Sequence, residues 1–186
     1  MHSPAHTATL APRTVPRATP RVAPTELRRV LSHFCSGVTI VTGRTAATDP
    51  AGGETPVGFT CQSFTSLSLD PPLVALAVAR TSSTWPRIEP SGAFCVNILA
   101  SGQEALCRTF AVSGADKFAG VDWAPGPATG SPVLAGSLAW ADCTVDAVLP
   151  GGDHWIVIGR VGALEAAEPA TDPLLFFRSG FHRPAA

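Results

Sequence analysis

The sequence predicts a mainly β domain, an antiparallel barrel or sandwich with a few short helices. At least seven segments have the composition of short strands, and hairpin-like turns connect several of them. The 18 Pro and 17 Gly among 186 residues indicate many turns and short elements, which is not the composition of a helical bundle. The length fits one domain with enough chain to bury a substantial core.

The chain is expected to begin with a tail. Residues 1–24 contain five Pro and three Arg but no acidic residue and no apolar segment, so they do not form a secretory signal. Their apolar surface is too small to favour folding. We therefore assign residues 1–24 to a disordered tail and residues 25–186 to the folded domain.

Helices are predicted at three places. Thr25 is a suitable N-cap for the first helix, which ends at Ser36 and Gly37. Its apolar residues recur at helical spacing: Leu27, Val30, Leu31 and Phe34. A second, short helix runs through Ile88, and a third covers residues 103–110.

The predicted strands are rich in β-branched or apolar residues and are bounded by turn-forming residues. They cover residues 38–42, 56–62, 73–79, 93–99, 134–149, 154–166 and 174–177. The segment 73–79 is continuously apolar, as in a strand that is buried on both faces. The two longest strands are joined by a Pro-Gly-Gly hairpin at residues 150–152.

Charge and cysteine content exclude several classes of function. Thirteen basic and fourteen acidic side chains give a net charge of −1, so neither nucleic acid nor a membrane surface is an expected partner. No apolar run approaches the ~20 residues that span a bilayer. The five cysteines include no C-x-x-C pair, so we expect no metal site and no disulfide framework. Small buried thiols in the reduced cytoplasm are the simplest interpretation.

Common catalytic motifs are absent from the sequence. There is no nucleophile elbow, no P-loop, no H-E-x-x-H and no G-x-G-x-x-G. The most unusual feature is instead the hydroxyl-rich segment 58–72, which leaves one strand and stops at Asp-Pro-Pro before the next. Such a turn offers N–H and hydroxyl groups without bulk, which suits the rim of a flat ligand. Taken alone, the composition favours an ordinary turn that bonds its own backbone.

Three further segments carry polar groups at predicted turns. The run Arg80-Thr81-Ser82-Ser83-Thr84 precedes a helix and suits a phosphate, although simple N-capping is the commoner role. The turn Gly151-Gly152-Asp153-His154 places a histidine at the mouth of the long hairpin, either at a pocket edge or exposed without a role. Asp116-Lys117-Phe118 places the only lysine beside an aromatic ring. The alternative interpretation is that this segment is a solvated surface without a role in binding.

The order of these segments along the chain resembles the order found in a known protein family. The landmarks are residues 37–42, 58–72, 83–84, 94–99, 117–118, 152–154 and 158–161, within a span from about residue 27 to residue 181. As an ordered set, they resemble the flavin reductase family of FMN-binding split barrels. That family includes the reductase components of two-component flavin-dependent monooxygenases.

The resemblance implies an architecture and a reaction. The expected fold is a six-stranded antiparallel Greek-key split barrel with flanking short helices, working as a homodimer. The expected reaction is hydride transfer from NADH or NADPH to FMN or FAD, and the reduced flavin passes to a separate monooxygenase. The resemblance decides neither the choice of flavin nor that of nicotinamide nucleotide.

It also implies roles for individual residues. The ring is bordered by Thr60, Cys61, Gln62 and Ser63. The ribityl chain or the phosphate is reached by Ser66 and Ser68, and the phosphate is held by Ser82, Ser83 and Thr84. Two residues lie near the phosphate or the ring, Lys117 and Phe118. The nicotinamide stacks beside the Gly152-Asp153-His154 turn, where His154 is the candidate catalytic residue.

The chain departs from the family pattern at a few positions. Gln62 replaces the usual Asn, and Cys61 replaces a small Ala or Val. The chain has no Tyr, so its C-terminal aromatic residues lack the hydroxyl of many relatives. Three other functions stay open on the same barrel: an oxidase of the pyridoxamine-phosphate type, a non-catalytic flavin-binding redox sensor or storage protein, and a barrel without ligand.

Overall fold

The structure is a computed structural model that describes residues 22–46, 54–114, 116–168 and 171–185. Most of the predicted tail, residues 1–21, lies outside the described residues. Its last residue, Pro24, already belongs to the first helix. Within the described parts of the chain, no helix has the length and apolarity needed to cross a membrane.

The described elements are three helices, two 3₁₀ turns and twelve strands. The helices are α1 Pro24–Leu31, α2 Trp85–Ile88 and α3 Glu104–Ala111, and the 3₁₀ turns are Glu89–Ser91 and Ser101–Gln103. The first six strands are β1 Ser36–Gly37, β2 Thr39–Arg44, β3 Pro56–Cys61, β4 Thr65–Leu69, β5 Pro72–Ala79 and β6 Ala93–Ile98. The others are β7 Trp123–Pro125, β8 Pro132–Leu134, β9 Ala139–Gly151, β10 His154–Ala166, β11 Leu175–Phe177 and β12 Gly180–His182.

One antiparallel sheet of seven strands dominates the fold. Its order is β3-β2-β6-β9-β10-β5-β4, so β3 and β4 are its two edges. Two small sheets accompany it, β1-β11-β12 and β7-β8. The mainly β, antiparallel class is therefore confirmed. The main sheet has seven strands where six were expected, and its edge strands do not pair with each other in the described residues.

The additional strand, β4, lies in the hydroxyl-rich segment that the sequence analysis treated as a turn. It pairs with β5 in the register Thr65↔Ala75 and Ser66↔Val74, followed by a bulge before Ser68. Thr favours extended backbone, and an edge strand with an exposed face accepts Ser at little cost. Hydroxyl content alone therefore did not distinguish a turn from an edge strand.

The N-terminal helix differs from its prediction at both ends. Thr25 is not the N-cap, because α1 begins one residue earlier with Pro24 at its first position and Ala23 as the cap. The helix ends at Leu31, and Ser36 and Gly37 form β1 against β11 instead of ending a helix. No residue of α1 is buried, and its apolar residues stay at least half exposed.

The long C-terminal strands also have different limits. The predicted strand 134–149 is broken between β8 and β9, where Gly136 has a φ of 74°. The hairpin turn that follows β9 consists of Gly152 and Asp153, because Gly151 still pairs with His154. Gly152 has a φ of 78°, a conformation that favours glycine, so the turn forms there and not at the preceding proline.

The core has two parts because β2 is buried on both faces. Val41 belongs to a cluster that includes Trp85, Ile88 and Phe94, which packs α2 against the sheet. Its neighbour Ile40 belongs to a second cluster. The other buried members of that cluster are Val38, Leu99, Cys107, Phe110, Leu134 and Leu174. Since side chains alternate along a strand, the consecutive β-branched residues of β2 fill both clusters.

The cysteines fit a structural role with one exception. All five are free thiols, and four are buried: Cys61, Cys95, Cys107 and Cys143. Burial raises the pKa of Cys143 to about 12 and raises the pKa of the other three buried thiols as well. These thiols therefore remain protonated near neutral pH. The exception is Cys35, which is exposed after α1.

The packing around Gly159 generates a test of the core. A Cβ atom at this position would overlap the ring of Phe94, which is fully buried. We expect Gly159→Ala to lower the free energy of unfolding by about 1–3 kcal/mol, the usual cost of overpacking. Urea unfolding, monitored by Trp fluorescence, measures this change in the free energy of unfolding. The control is Gly102→Ala, where no heavy atom lies within 4 Å of the added Cβ and little change is expected. Equal stability of both variants would contradict this packing.

Candidate functional site

A cleft of about 550 Å³ opens between the ends of β3 and β5. These two strands belong to one sheet but do not pair with each other. The cleft residues come from the end of β3, the end of β5, the turn before α2, the end of α3 and the start of β10. They are Phe59, Thr60, Cys61, Gln62, Ser63, Ala77, Val78, Ala79, Ser82, Ser83, Thr84, Phe110, Ala111, Ser113, Lys117 and His154.

Ser63 ties the two sides of the cleft together. The ladder between β4 and β5 reaches only to Thr65↔Ala75, so no strand residue pairs with Ala77 on that side. The Ser63 hydroxyl takes over this role: it donates to the carbonyl oxygen of Ala77 at 2.9 Å and accepts the Ala77 N–H at 2.9 Å. One side chain thus replaces a pair of ladder hydrogen bonds. Ser63 sets the distance between the turn after β3 and the end of β5.

Hydrogen bonds to neighbouring elements hold the rest of this turn. The Thr60 hydroxyl donates to the carbonyl oxygen of Cys107 in α3 at 2.6 Å. The Gln62 amide donates to the hydroxyl of Ser36 at 2.9 Å. The turn is therefore attached to α3 on one side and to β1 on the other. Gln62 and Ser63 follow the last ladder pair of β3, so their backbone amides lie beyond the sheet.

One wall of the cleft is flat because β5 carries alanine there. Val78 is buried in the core, so the alternating residues Ala77 and Ala79 face the opposite side. Two methyl groups leave room for a planar ring to lie against the strand. The predicted site did not include these two alanines or Val78, nor did it include Phe59, Phe110, Ala111 and Ser113. The alternation within residues 73–79 contained the signal for the two alanines.

The turn before α2 forms hydrogen bonds at the start of the helix and also lines the cleft, so it fits both roles that the sequence left open: N-capping and phosphate binding. The Ser82 hydroxyl accepts the N–H groups of Thr84 at 3.3 Å and Trp85 at 3.1 Å, so Ser82 caps the helix. Ser83 and Thr84 line the cleft and also a second cavity next to it. Arg80 does not line the cleft; its guanidinium lies over the ring of Trp155, 3.9 Å from the centroid.

Lys117 lies between the cleft and the second cavity and lines both. Its ammonium donates to the carbonyl oxygens of Gly58 at 3.0 Å and Phe110 at 2.9 Å. An ammonium has three N–H groups, so these bonds use two of them. Partial burial lowers the pKa of Lys117 below its ordinary value. Both of its partners are acceptors, which suits a protonated ammonium that offers positive charge to the two cavities.

Phe118 lines only the second cavity. Its ring packs edge-on against Phe110, with the centroids 5.1 Å apart, and against Trp123 at 6.1 Å. These contacts attach the segment after residue 115 to the second core cluster. Phe118 therefore holds Lys117 in place and does not border the first cleft.

His154 lines the cleft as the first residue of β10 and is the ladder partner of Ala79. Its Nδ1 lies 2.7 Å from the carboxylate of Asp153, and this hydrogen bond lowers the pKa of that carboxyl. The backbone carbonyl of Asp153 accepts the Arg80 N–H at 3.0 Å. Neither Gly152 nor Asp153 lines the cleft; they shape the turn that presents His154.

Besides Phe118, Gly152 and Asp153, two more of the predicted site residues do not line the cleft. Ser66 and Ser68 lie within β4, opposite Val74 and Leu73 of β5. The cleft is formed by the other end of β5, at Ala77 and Ala79. Because residues 65–69 form a strand and not a wide turn, these two hydroxyls stay with the sheet edge.

The arrangement defines what the cleft can do chemically. The hydroxyls before α2 and the Lys117 ammonium suit a phosphate, the alanine wall suits a planar ring, and the His154 imidazole adds a group that can form a hydrogen bond with a ligand. Among the described residues, no group of three His, Cys, Asp or Glu side chains is arranged to hold a metal ion.

Comparisons with known proteins identify the family of the chain. Residues 31–185 match the family described as flavin reductase like domain. The chain is 48% identical over 160 residues to the protein named flavin-dependent monooxygenase, reductase subunit HsaB, from Rhodococcus jostii, covering 86% of this chain and 77% of that one.

Two solved structures are similar as well. Nitrilotriacetate monooxygenase component B from Mycobacterium thermoresistibile has a TM-score of 0.79 at 47% identity, covering 86% of this chain and 85% of that one. The NADH:FAD oxidoreductase SgcE6 of Streptomyces globisporus, in complex with NAD and FAD fragments, has a TM-score of 0.77 at 38% identity, covering 87% and 92%. With a flavin reductase domain matched over most of its length, this chain belongs to the flavin reductase-like family.

Proposed function

We propose that this chain is an NAD(P)H-dependent flavin reductase. It reduces FMN or FAD and supplies the reduced flavin to a separate flavin-dependent monooxygenase. The names of its relatives support this, since they include a reductase subunit of a monooxygenase and an NADH:FAD oxidoreductase. The observation that carries the proposal is one cleft that combines an alanine wall with hydroxyls, an ammonium and a histidine.

The residues of the cleft fit a flavin. Ala77 and Ala79 leave a flat surface for the ring, and the turn that ends in Ser63 borders it. Ser83, Thr84 and Lys117 would hold the phosphate, since hydroxyls and an ammonium are effective phosphate ligands. Phe59 and Phe110 add apolar surface on the side of β3 and α3. The cleft has the volume and the mixture of apolar and polar groups typical of a small-molecule site.

The balanced reaction is NAD(P)H plus oxidised flavin plus a proton giving NAD(P)+ and reduced flavin. The flavin, when bound, supplies the capacity to accept a hydride, that is, two electrons and one proton together. The protein supplies position. Ser63 fixes the two sides of the cleft relative to each other, and the backbone amides after Cys61 favour negative charge on the bound ring.

His154 binds the hydride donor in this proposal. The Nδ1 atom is engaged by the Asp153 carboxylate, which selects the tautomer with the proton on Nδ1 and leaves Nε2 as an acceptor. That acceptor suits the amide of a nicotinamide carboxamide group. Asp153 is 93% exposed in its side chain and acts as a positioning residue through His154.

We also propose that two copies of the chain form a homodimer. The strands β9 and β10 expose two neighbouring apolar side chains, Leu149 and Ile156, and the edge strand β4 exposes Leu67 and Leu69. Ile156 is the ladder partner of both Leu149 and Ala77. Because Ala77 lines the cleft, a second copy covering this surface would adjoin the site. An exposed apolar patch of this kind is typical of an interface.

The cytoplasm is the proposed place of action. Five free thiols fit a reducing compartment, and both the hydride donor and the reduced flavin belong to such surroundings.

The decisive test of the function is a turnover assay. Purified protein is mixed with NADH or NADPH and an excess of free FMN or FAD under anaerobic conditions, and the nicotinamide absorbance is followed for all four pairings. We expect many flavin molecules reduced per chain in at least one pairing. One equivalent of reduction without turnover would instead indicate a redox sensor or storage protein. A chain that takes up no flavin would contradict the proposal.

Replacing His154 separates binding of the hydride donor from binding of the flavin. We expect His154→Ala to raise the apparent KM for the nicotinamide nucleotide about tenfold, the value of one lost hydrogen bond. The dissociation constant for the flavin should change by less than about twofold. The matched control is His182→Ala, since His182 is exposed outside the cleft and bonds the carbonyl oxygen of Phe177. An unchanged KM for the His154 variant would contradict its role.

Introducing a charged residue on the exposed sheet surface tests whether the dimer forms there. Light scattering should give twice the 19.2 kDa chain mass for the original protein and a single chain mass for Ile156→Asp. The new carboxylate would lose its hydration in an apolar interface, and this unfavourable free energy should separate the two copies. Val112→Asp, which alters another exposed apolar residue, should leave the mass unchanged. A monomeric original protein, or an Ile156 variant that remains dimeric, would contradict this interface.

A further inference from the structure

The hydroxyl of Thr39 forms a buried hydrogen bond at the point where β3 reaches the cleft. Thr39 is the first residue of β2, is 4% exposed and donates to the carbonyl oxygen of Cys61 at 2.7 Å. From this contact we infer that Thr39 is a positioning residue, which fixes the peptide bond between Cys61 and Gln62 so that the Gln62 N–H points at the ring of a bound flavin. The inference rests on the proposed function and adds to it a residue that does not line the cleft.

The pairing between β2 and β3 ends at this contact. Thr39 and Cys61 are the last ladder partners, so the next pair would join Val38 and Gln62. The backbone of Val38 is engaged elsewhere, because its N–H donates to the residue before β11 and its carbonyl oxygen accepts the N–H of the residue after β6. The pairing with β2 therefore leaves the backbone amide of Gln62 without a ladder partner.

Peptide geometry sets the direction of this amide. In a planar trans peptide, the C=O and the N–H point in opposite directions. The Cys61 carbonyl oxygen points towards β2, where the Thr39 hydroxyl binds it, so the Gln62 N–H points away from β2. Because β3 is an edge strand, that direction leads out of the sheet, and Gln62 lines the cleft there. Within the described ranges of the chain, the Gln62 N–H has no acceptor, so it is free to bind a ligand.

The far side of the same turn is fixed as well. The Ser63 hydroxyl is held by its two hydrogen bonds to Ala77, and the Gln62 side chain is held by Ser36. Thr39 supplies the remaining attachment, on the side of β2. Without it, the peptide could rotate and turn the Cys61 carbonyl dipole towards the ring.

The direction of this peptide affects the two redox states of a flavin differently. Reduction adds two electrons to the ring, so the reduced ring gains more from a fixed N–H donor than the oxidised ring does. A carbonyl oxygen at the same place would oppose that charge. Thr39 therefore favours reduction of the bound flavin through the direction of the Gln62 N–H and touches neither flavin nor hydride donor itself.

The test compares oxidised and reduced FMN on the same protein. The dissociation constant of each is measured by anaerobic equilibrium dialysis, without any nicotinamide nucleotide. Thr39→Val removes the hydroxyl and keeps the shape of the side chain, and we expect it to weaken reduced FMN about fivefold more than oxidised FMN, the value of about one hydrogen bond. Thr39→Ser keeps a hydroxyl and should restore the ratio of the two constants found for the original protein.

The matched control is Thr42→Val in the same strand. Thr42 is fully buried, and its hydroxyl lies against the carbonyl oxygens of Cys95 and Pro132, which do not line the cleft. This variant loses a buried hydrogen bond of the same kind but should leave the ratio of the two dissociation constants unchanged.

A second measurement uses the original protein alone. Hydrogen exchange of the Gln62 backbone N–H, followed by NMR, should slow about fivefold when oxidised FMN is added at a saturating concentration. The exposed amide of Gly102, outside the cleft, should exchange at the same rate with and without FMN. Unchanged exchange at Gln62 would overturn the inference even if the Thr39→Val variant does not fold.

Two further results also contradict the inference. If Thr39→Val weakens both redox states of FMN by the same factor, the hydroxyl supports only the fold. If Thr42→Val changes the ratio as much as Thr39→Val does, the effect comes from a general loss of stability. A protein that binds FMN in neither state fails the proposed function, whereas one that binds FMN with the same ratio before and after Thr39→Val fails this inference alone.

Discussion

The double hydrogen bond between the Ser63 hydroxyl and the backbone of Ala77 is the contact on which the site depends. The edge of β5 would otherwise have an unpaired N–H and C=O where β4 has not yet begun. The Ser63 side chain satisfies both groups and lines the cleft at the same place. The proposed flavin site thus depends on one serine that takes the place of a ladder pair.

The functional groups reach this cleft from elements that the sheet and the core hold rigidly. Lys117 is fixed by two carbonyl oxygens, from β3 and from α3, and His154 is the ladder partner of Ala79. The Arg80 amide links the His154 turn to the segment that carries Ser83 and Thr84. The proposed phosphate ligands and the imidazole therefore keep fixed positions relative to each other. In the proposal, Ser83, Thr84 and Lys117 serve the flavin, and His154 serves the hydride donor.

Much of this arrangement was accessible from the sequence. The β-branched run of β2, the apolar run of β5 and the hydroxyl cluster before α2 follow from local preferences. The family resemblance placed Ser66 and Ser68 on a loop near the ligand, whereas they lie in the edge strand β4. A Ser-rich edge strand and a Ser-rich turn have similar compositions. Ala77 and Ala79 were missed since alanine carries no chemical signal; their role comes from alternation against Val78. The bond from Ser63 to Ala77 joins residues fourteen apart, so only the fold shows it.

The most direct test of the central claim is a crystal structure of the protein soaked with FMN, the smaller flavin. The account predicts ring density between residues 59–63 and 77–79, with the phosphate within hydrogen-bond distance of Ser83, Thr84 or Lys117. The Ser63 hydroxyl should remain bonded to Ala77. Flavin bound at a different surface, or a cleft closed by side chains in the soaked crystal, would contradict the account.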